Sequence, residues 1–443
     1  MHESSANHGL QIIDYGSKPT KPQHSDAADS SDYLGSADFP YHLLLHILRY
    51  LSPRDILASL FPANQHLHRV LGEESLWRSR LRRVFRAQPY PILPGPESPG
   101  EWRRRAYHVE TEREMYREEA DTVCPLTRRV FQIAEDGHRV NAVHFLRGGR
   151  WLVAGGTDHR VTLWDAEAVQ QAPSGPSGIS DGDHVEAARS VLHKHADWVT
   201  SLQSREGKVS SGSMDRTIKI LDVHASAGRR LSVAPTITLL SERGVFCHAW
   251  QNDLVVAGYH SAVELFDIRS KNTPILTKTS EHDDLNLVWD IAFRGQQVFL
   301  LSSDGALRVL DLRSRRFTSS ITMPVGEHGV RLSLHDGVCC VASNGGGVRM
   351  YAADSLQLLE DLSGAFDFSR EHRVVGVHYN DAHVLAASAQ GLLRMLEPVR
   401  AGRVLWQWRP PAGTGNFRCM DYAGDNSMAV SSTNHMWLWR PRN

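Results

Sequence analysis

Ser211-Gly212-Ser213-Met214-Asp215-Arg216-Thr217-Ile218-Lys219, running on to Leu221-Asp222, is the stretch on which the reading of this chain turns. Small residues lead into a Met-Asp-Arg turn, and an alternating apolar run follows and stops at a carboxylate. That is the pattern of two short strands joined by a tight turn. The same kind of ending recurs on both sides of it, at Trp164-Asp165 before and at Phe266-Asp267, Leu310-Asp311, Tyr351-Ala352, Leu396-Glu397 and Trp439-Arg440 after. The intervals between the seven endings are 57, 45, 44, 41, 45 and 43 residues. A unit of roughly 40–45 residues cannot bury its apolar faces alone, so neighbours must stack. The spacing therefore predicts seven four-stranded blades of a β-propeller over residues 127–443, a platform for gripping other molecules rather than a catalyst.

In the first unit the strands are expected at 140–145, 151–154, 161–164 and 190–192, and the small polar run Ala172–Gly178 between the last two reads as a flexible loop. Outer strands are expected at 236–240, 274–277, 317–321, 356–359 and 404–408. The seventh unit ends four residues after Trp439 and lacks an outer strand, while Arg129-Val130-Phe131-Gln132-Ile133 stands alone before the first unit. An open ring would leave unpaired edges. Residues 129–133 are therefore expected to cross over and complete the last blade as a clasp.

Upstream, the composition changes twice. Residues 1–35 are rich in Ser, Asp, His and Ala and read as a disordered tail. Their cluster of Ser25, Asp26, Asp29, Ser30, Ser31 and Asp32 is either a solvated terminus or a phosphorylation site. From Phe39-Pro40 onward, Leu43, Leu44, Ile47, Leu48 and Leu51 repeat at helical spacing. Ser52-Pro53-Arg54-Asp55 starts a second helix with a capping residue, a proline at the first helical position and an acid that reaches back. Ile56, Leu57 and Leu60 form its apolar side. A third helix carries Leu67, Val70 and Leu71, and a fourth Leu76, Trp77, Leu81, Val84 and Phe85. Residues 86–126 divide into a proline-rich connector (Pro89, Pro91, Pro94, Pro96, Pro99) and a spacer helix over 101–120. Its Arg103-Arg104-Arg105 run is balanced by glutamates, so a solvated surface is expected there.

Bulk properties exclude several classes. Forty-nine Lys and Arg against fifty Asp and Glu give a net charge of −1, so no field recruits nucleic acid or a membrane. Five scattered cysteines (Cys124, Cys247, Cys339, Cys340, Cys419) without a C-x-x-C pair fit buried thiols in a reducing compartment, cytoplasmic or nuclear. The early His2, Glu3, His8 and Asp14 stand where a signal sequence needs an apolar run. Twenty-four histidines raise a metal question, but neither His42/His46 nor His193/His195 has a third ligand at suitable spacing, and neither metal nor cofactor is expected. Gly345-Gly346-Gly347 falls in a strand turn with no following helix, so it is no phosphate cradle. His195, Ser211 and Asp215 carry the residue types of a catalytic triad. Their positions, after one strand, on the next and in the following turn, instead fit a buried hydrogen-bond chain pinning turn to strand. His138, Asp158 and Trp164 form the partial counterpart in the first unit, with Ala154 in place of the serine. Residues just before each innermost strand face one rim of the ring. They are Arg139, Trp198, Leu287 and Arg373, with Arg216 in a neighbouring turn, and as a set they read as a partner-binding surface.

Residues 36–85 resemble an F-box. Phe39-Pro40, Leu43-Leu44, Ile47-Leu48, Tyr50-Leu51-Ser52-Pro53-Arg54-Asp55-Ile56-Leu57 and the later Leu76-Trp77-Arg78 follow that motif, with Phe39, His42 and 61–64 departing from it. With the repeats behind them, the chain from about residue 36 is similar to the F-box and WD40 repeat family. The segments that carry the likeness are Trp198-Val199-Thr200-Ser201-Leu202, Ser211 to Lys219 and Gln390-Gly391-Leu392-Leu393. The fold class is then mixed, an all-α F-box followed by an all-β seven-bladed WD40 propeller. The resemblance implies a non-catalytic substrate receptor of a ubiquitin ligase. Phe39, Pro40, Leu43, Leu44, Ile47, Leu48, Leu51, Ile56 and Leu57 would bind Skp1, which joins cullin-1, and the propeller would hold an unknown protein substrate. Apolar helices too few for a sizeable core of their own agree with a docking role. Two other readings stay open. Asp267-Ile268-Arg269 and Asp311-Leu312-Arg313 match the tail of receptors for the DDB1–cullin-4 scaffold, and a ligase-independent scaffold would use the helices as a plain core.

Overall fold

The computed structural model of the chain describes residues 41–63, 65–84, 100–117, 126–133, 137–146, 148–173, 182–225, 231–233, 237–270, 272–279, 287–366, 373–398, 403–411, 416–433 and 435–441. The expected tail, Phe39, Pro40, Phe85, Cys124 and the proline-rich connector lie outside these residues.

The helical part begins with α1 (Tyr41–Ile47). Then come α2 (Pro53–Asp55), which runs on as a wider turn through Leu60, α3 (Gln65–Leu71) and α4 (Glu74–Val84). Ser52 caps α2 as its sequence dictates. Its hydroxyl accepts the Asp55 amide at 3.1 Å and donates to the Asp55 carboxylate at 2.7 Å. Ile56, Leu71, Trp77 and Leu81 are fully buried, and the Trp77 indole donates to the Leu71 carbonyl at 2.7 Å.

These helices share their core rather than closing one alone: α5 (Glu101–Arg117) contributes Trp102, Ala106 and Val109 to the same cluster and the propeller contributes Ala382. Helix α5 is therefore no solvated spacer. Trp102, Ala106, Val109 and Tyr116 recur at four, three and seven residues, a buried stripe that the dense charges around it conceal.

The remaining described residues form seven antiparallel sheets, six stepping outward in chain order and the seventh taking its outer strand from the start of the ring. The inner strands are Val140–Leu146, Val199–Arg205, Cys247–Gln251, Val288–Arg294, Gly329–His335, Val374–Tyr379 and Cys419–Tyr422. Outer strands lie at Ile237–Leu240, Leu276–Thr279, Arg316–Thr322, Leu358–Asp361 and Val404–Trp408, within a few residues of the sequence reading. The ring closes as the orphan segment requires. Strand β1 (Leu126–Gln132) pairs antiparallel with the last strand, His435–Pro441, Arg129 opposite Leu438 and Phe131 opposite Met436. Phe131 is fully buried, its ring 5.3 Å from that of Trp164. The insertion in the first blade is more ordered than a loop at both flanks. Asp165 caps a helix α6 (Ala166–Gln171), and α7 (Gly182–Ala187) follows, with Ala166, Val169, Ala172 and Val185 buried in the blade's core. Residues 174–181 lie outside the described set.

Side chains near the central channel stitch one blade to the next. Asn141 donates to the Val199 carbonyl at 3.1 Å, Thr200 to Val245 at 2.6 Å and Arg331 to Val375 at 3.0 Å. Antiparallel order also gives the ring two unlike faces. Outer-to-inner connections and second-to-third strand turns share one face, called upper below, and the other two kinds of turn share the lower face.

Candidate functional site

Helix α1 divides the sequence-derived adaptor residues by its two sides. Leu44, Leu48 and Ile56 are buried within the chain, and Leu51 and Leu57 are half-buried against the same cluster. They support a surface without forming it. Leu43 and Ile47 each keep 45% exposure and Tyr50 keeps 77%, an open apolar stripe one and two turns apart. The ring of His46 packs edge-on to Tyr50 at 5.3 Å. Arg80 from α4 fixes the orientation of this stripe. It donates to the Leu48 carbonyl at 2.5 Å and the Leu51 carbonyl at 2.6 Å, acceptors left over at the helix end. It also makes a two-pronged pair with Glu110 of α5 at 2.5 and 2.6 Å.

Helix α5 in turn is seated on the lower face by buried charges. Arg105 reaches Asp336 at 2.8 Å and Asp381 at 3.4 Å, and Arg113 reaches Glu397 at 2.5 Å. Glu112 lies 2.7 Å from His383 Nδ1 and accepts from Asn380 at 3.3 Å. Burial alone would raise the Glu112 carboxyl, but His383, His108 and Asn380 hold it below the usual range. Asp336 and Asn380 to His383 belong to first-to-second strand turns and Glu397 to a third-to-fourth connection, so all the seats are on one side of the ring. His335, Asp336 and Asp381 bring ligand-type atoms within 4.8 Å of one another. Arg105 already bridges the two carboxylates, which makes the group a salt-bridge seat.

In the interior, His195, Ser211 and Asp215 come together as the sequence implied. His195 Nε2 is 2.9 Å from the Ser211 hydroxyl and Nδ1 is 2.8 Å from Asp215. The Ala196 and Thr217 amides and the Thr217 hydroxyl also donate to Asp215. Burial opposes the Asp215 charge, yet these donors, with His195 beside them, pull its pKa down to about 2. His193 was missed by the sequence reading: its Nε2 shares the Ser211 hydroxyl at 2.9 Å, and burial lowers it to about 3. Ser211 is fully buried, so the chain of groups pins a turn and meets no substrate.

The first blade does not repeat the arrangement. Trp164 donates to Thr162 at 3.1 Å and Asp158 accepts the Arg160 amide at 3.2 Å. Among the described residues, His138 bonds to neither Asp158 nor Trp164. Blades four and five substitute ion pairs, Arg308 with Asp304 and Arg349 with Glu327, each carboxylate also bonded to Ser302 or Ser343.

The upper face carries the rim residues. Arg139, Trp198, Arg216 and Arg373 are exposed, Trp198 at 52%. Leu287 is only partly exposed, because it bridges to His260 and its amide bonds Ser303 at 3.0 Å. The structure adds two residues that the sequence reading passed over. The Arg373 guanidinium lies 4.6 Å over the Trp289 ring, which stacks on His328 at 5.7 Å and 12°. Aligning Trp198-Val199-Thr200 with Leu287-Val288-Trp289 is the signal that would have found Trp289, one step further toward the channel.

With the geometry in hand, comparison with known proteins is informative. The family model described as WD domain, G-beta repeat matches residues 129–165 and 188–222, the clasp and the first two blades. The human F-box/WD repeat-containing protein 9 is 24% identical over 435 residues, covering 95% of this chain and 86% of that protein. Its Bos taurus counterpart is 24% identical over 383 residues, covering 84% and 76%. The Caenorhabditis elegans F-box/WD repeat-containing protein mec-15 is 20% identical over 336 residues, covering 73% and 76%. Among solved structures, the WD40 β-propeller domain of Doa1 superposes with a TM-score of 0.54 at 13% identity, over 70% of this chain and 96% of that one, a likeness of fold. Among the described residues no helix is long and apolar enough to cross a membrane. The chain is thus a seven-bladed propeller carrying WD40 repeats behind a docked helical arm, similar over most of its length to F-box/WD repeat-containing protein 9.

Proposed function

We propose that this chain is the substrate-recognition subunit of an SCF-type ubiquitin ligase, working in the cytoplasm or nucleus. The helical arm binds Skp1, Skp1 holds cullin-1, and the upper face of the propeller binds the protein to be ubiquitinated. The observation that carries this reading is the stripe Leu43, Ile47 and Tyr50, apolar and open on an arm whose other side is buried against the lower face. Adaptor and substrate then occupy opposite sides of one body. The chain performs no bond chemistry. It raises the effective concentration of a target lysine near the charged conjugating enzyme, and a firmly seated arm keeps that geometry fixed. Arg139, Trp198, Arg216, Leu287 and Arg373, joined by Trp289 and His328, are the substrate-facing set.

Affinity purification of the full chain tests the reading. Leu43→Asp/Ile47→Asp is expected to abolish recovery of Skp1 and cullin-1 while the melting curve is retained, because both side chains already meet water. Leu44→Ala is the contrasting variant, lowering stability through the core. Recovery of DDB1 by the wild type would move the assignment to the cullin-4 class, and recovery of no adaptor would leave a ligase-independent scaffold.

A further inference from the structure

The C-terminal end of α1, next to Tyr50 of the open stripe, is cationic. Residues 41–84 contain seven arginines and three carboxylates, although the whole chain has a net charge of −1. Of the seven, Arg80 is neutralised by Glu110, and Arg78 lies over the Trp102 ring at 5.5 Å. Arg49, Arg82 and Arg83 reach solvent. Arg49 directly precedes Tyr50 of the stripe. Arg83 lines a crevice with Leu45, Leu48 and Ile56, on the buried side of α1. Partial burial, then the charges of Arg49 and Arg80, lower the pKa of Arg83, and Glu110 offsets only part of this. Like charges are therefore crowded at the end of α1 that carries Tyr50, an arrangement that disfavours the isolated chain and favours an oppositely charged neighbour.

We infer that the partner of this arm is a protein whose contact surface is apolar at its centre and bordered by carboxylates, which Arg49 and Arg83 meet. The inference rests on the adaptor reading above and adds the electrostatic character of the contact. Rim charges act mainly on the association rate and its dependence on salt, whereas the central apolar residues govern dissociation.

Binding of the purified full chain to purified Skp1, followed by biolayer interferometry between 50 and 500 mM NaCl, separates the two claims. The association rate is expected to fall by on the order of tenfold across that range. Arg49→Gln/Arg83→Gln is expected to lower it by a similar factor at 50 mM salt, to flatten the salt dependence and to leave the dissociation rate within about twofold. Thermal melting of the double variant verifies that it folds. An association rate indifferent to salt and to the double variant, with Skp1 still bound, would overturn the cationic-flank inference and leave the adaptor reading standing. No Skp1 binding by the folded wild type at any salt would overturn the adaptor reading itself.

Discussion

Arginines of the lower face and those exposed on the upper rim keep different company, whereas Arg308 and Arg349 at the upper turns of blades four and five are paired with Asp304 and Glu327. On the lower face Arg105, Arg113 and Arg294 pair with Asp336 and Asp381, Glu397 and Asp354. On the upper face Arg139, Arg216, Arg243 and Arg373 have no salt-bridge partner among the described residues; Arg243 reaches only the His260 carbonyl, and Arg373 lies on Trp289. The lower-face charges are already satisfied inside the molecule, so their work is structural: Arg105 and Arg113 hold the helical arm in one position, and Arg294 ties blade four to blade five. The exposed upper-rim arginines Arg139, Arg216, Arg243 and Arg373 lack a counter-ion among the described residues, so carboxylates or carbonyls of another molecule are free to meet them. Changes below are therefore expected to alter stability, and changes above to alter capture.

The largest effect is expected at the seat of α5. Glu112→Ala leaves buried His383 and Asn380 without their acceptor and should lower the unfolding free energy by about 3–5 kcal/mol, read from urea denaturation at neutral pH. The Glu112 pKa is depressed on folding, so its contribution is present above its ordinary value of 4.5 and is lost as pH falls through the folded value. The gap between wild type and variant should accordingly close on acidification. A constant gap would mean that folding does not lower the Glu112 carboxyl.

Asp215→Asn comes next. Folding lowers this carboxyl from 3.8 to about 2, so roughly 2 kcal/mol should separate the variant from wild type above pH 4 and disappear toward pH 2. Arg80→Met follows, with a loss of about 1–3 kcal/mol from unsatisfied carbonyls at Leu48 and Leu51. Hydrogen exchange should locate that loosening in α1 and leave the blades unchanged. The smallest stability change belongs to Trp198→Ala/Arg373→Ala, under about 1 kcal/mol in thermal melts. The same variant should lose crosslinked substrate while retaining its adaptor. If it unfolds instead, the upper face is a structural surface and the contrast between faces fails.

Legibility differed by region for a physical reason. The blades, the clasp and the Ser52 cap could be read because alternation, turn residues and capping act between residues close in sequence or repeated at a fixed period. The role of α5 was hidden. Its alternating charges look alike whether they face water or counter-ions on the propeller, and those partners are 231 residues away for Arg105 with Asp336 and 284 for Arg113 with Glu397. His138 was misplaced for the opposite reason, since a motif position was assumed to imply a partner that the first blade does not supply.

By itself the sequence determined that seven repeats must stack into a closed ring and that a group of short helices precedes it, because both follow from hydrophobic periodicity and edge pairing. Only the tertiary structure decided which half of α1 stays open, that the arm rests on the lower face, and that Arg373, Trp289 and His328 from three successive blades stack at the upper rim. Those outcomes depend on contacts between segments far apart in the chain, and such contacts leave no periodic trace in it.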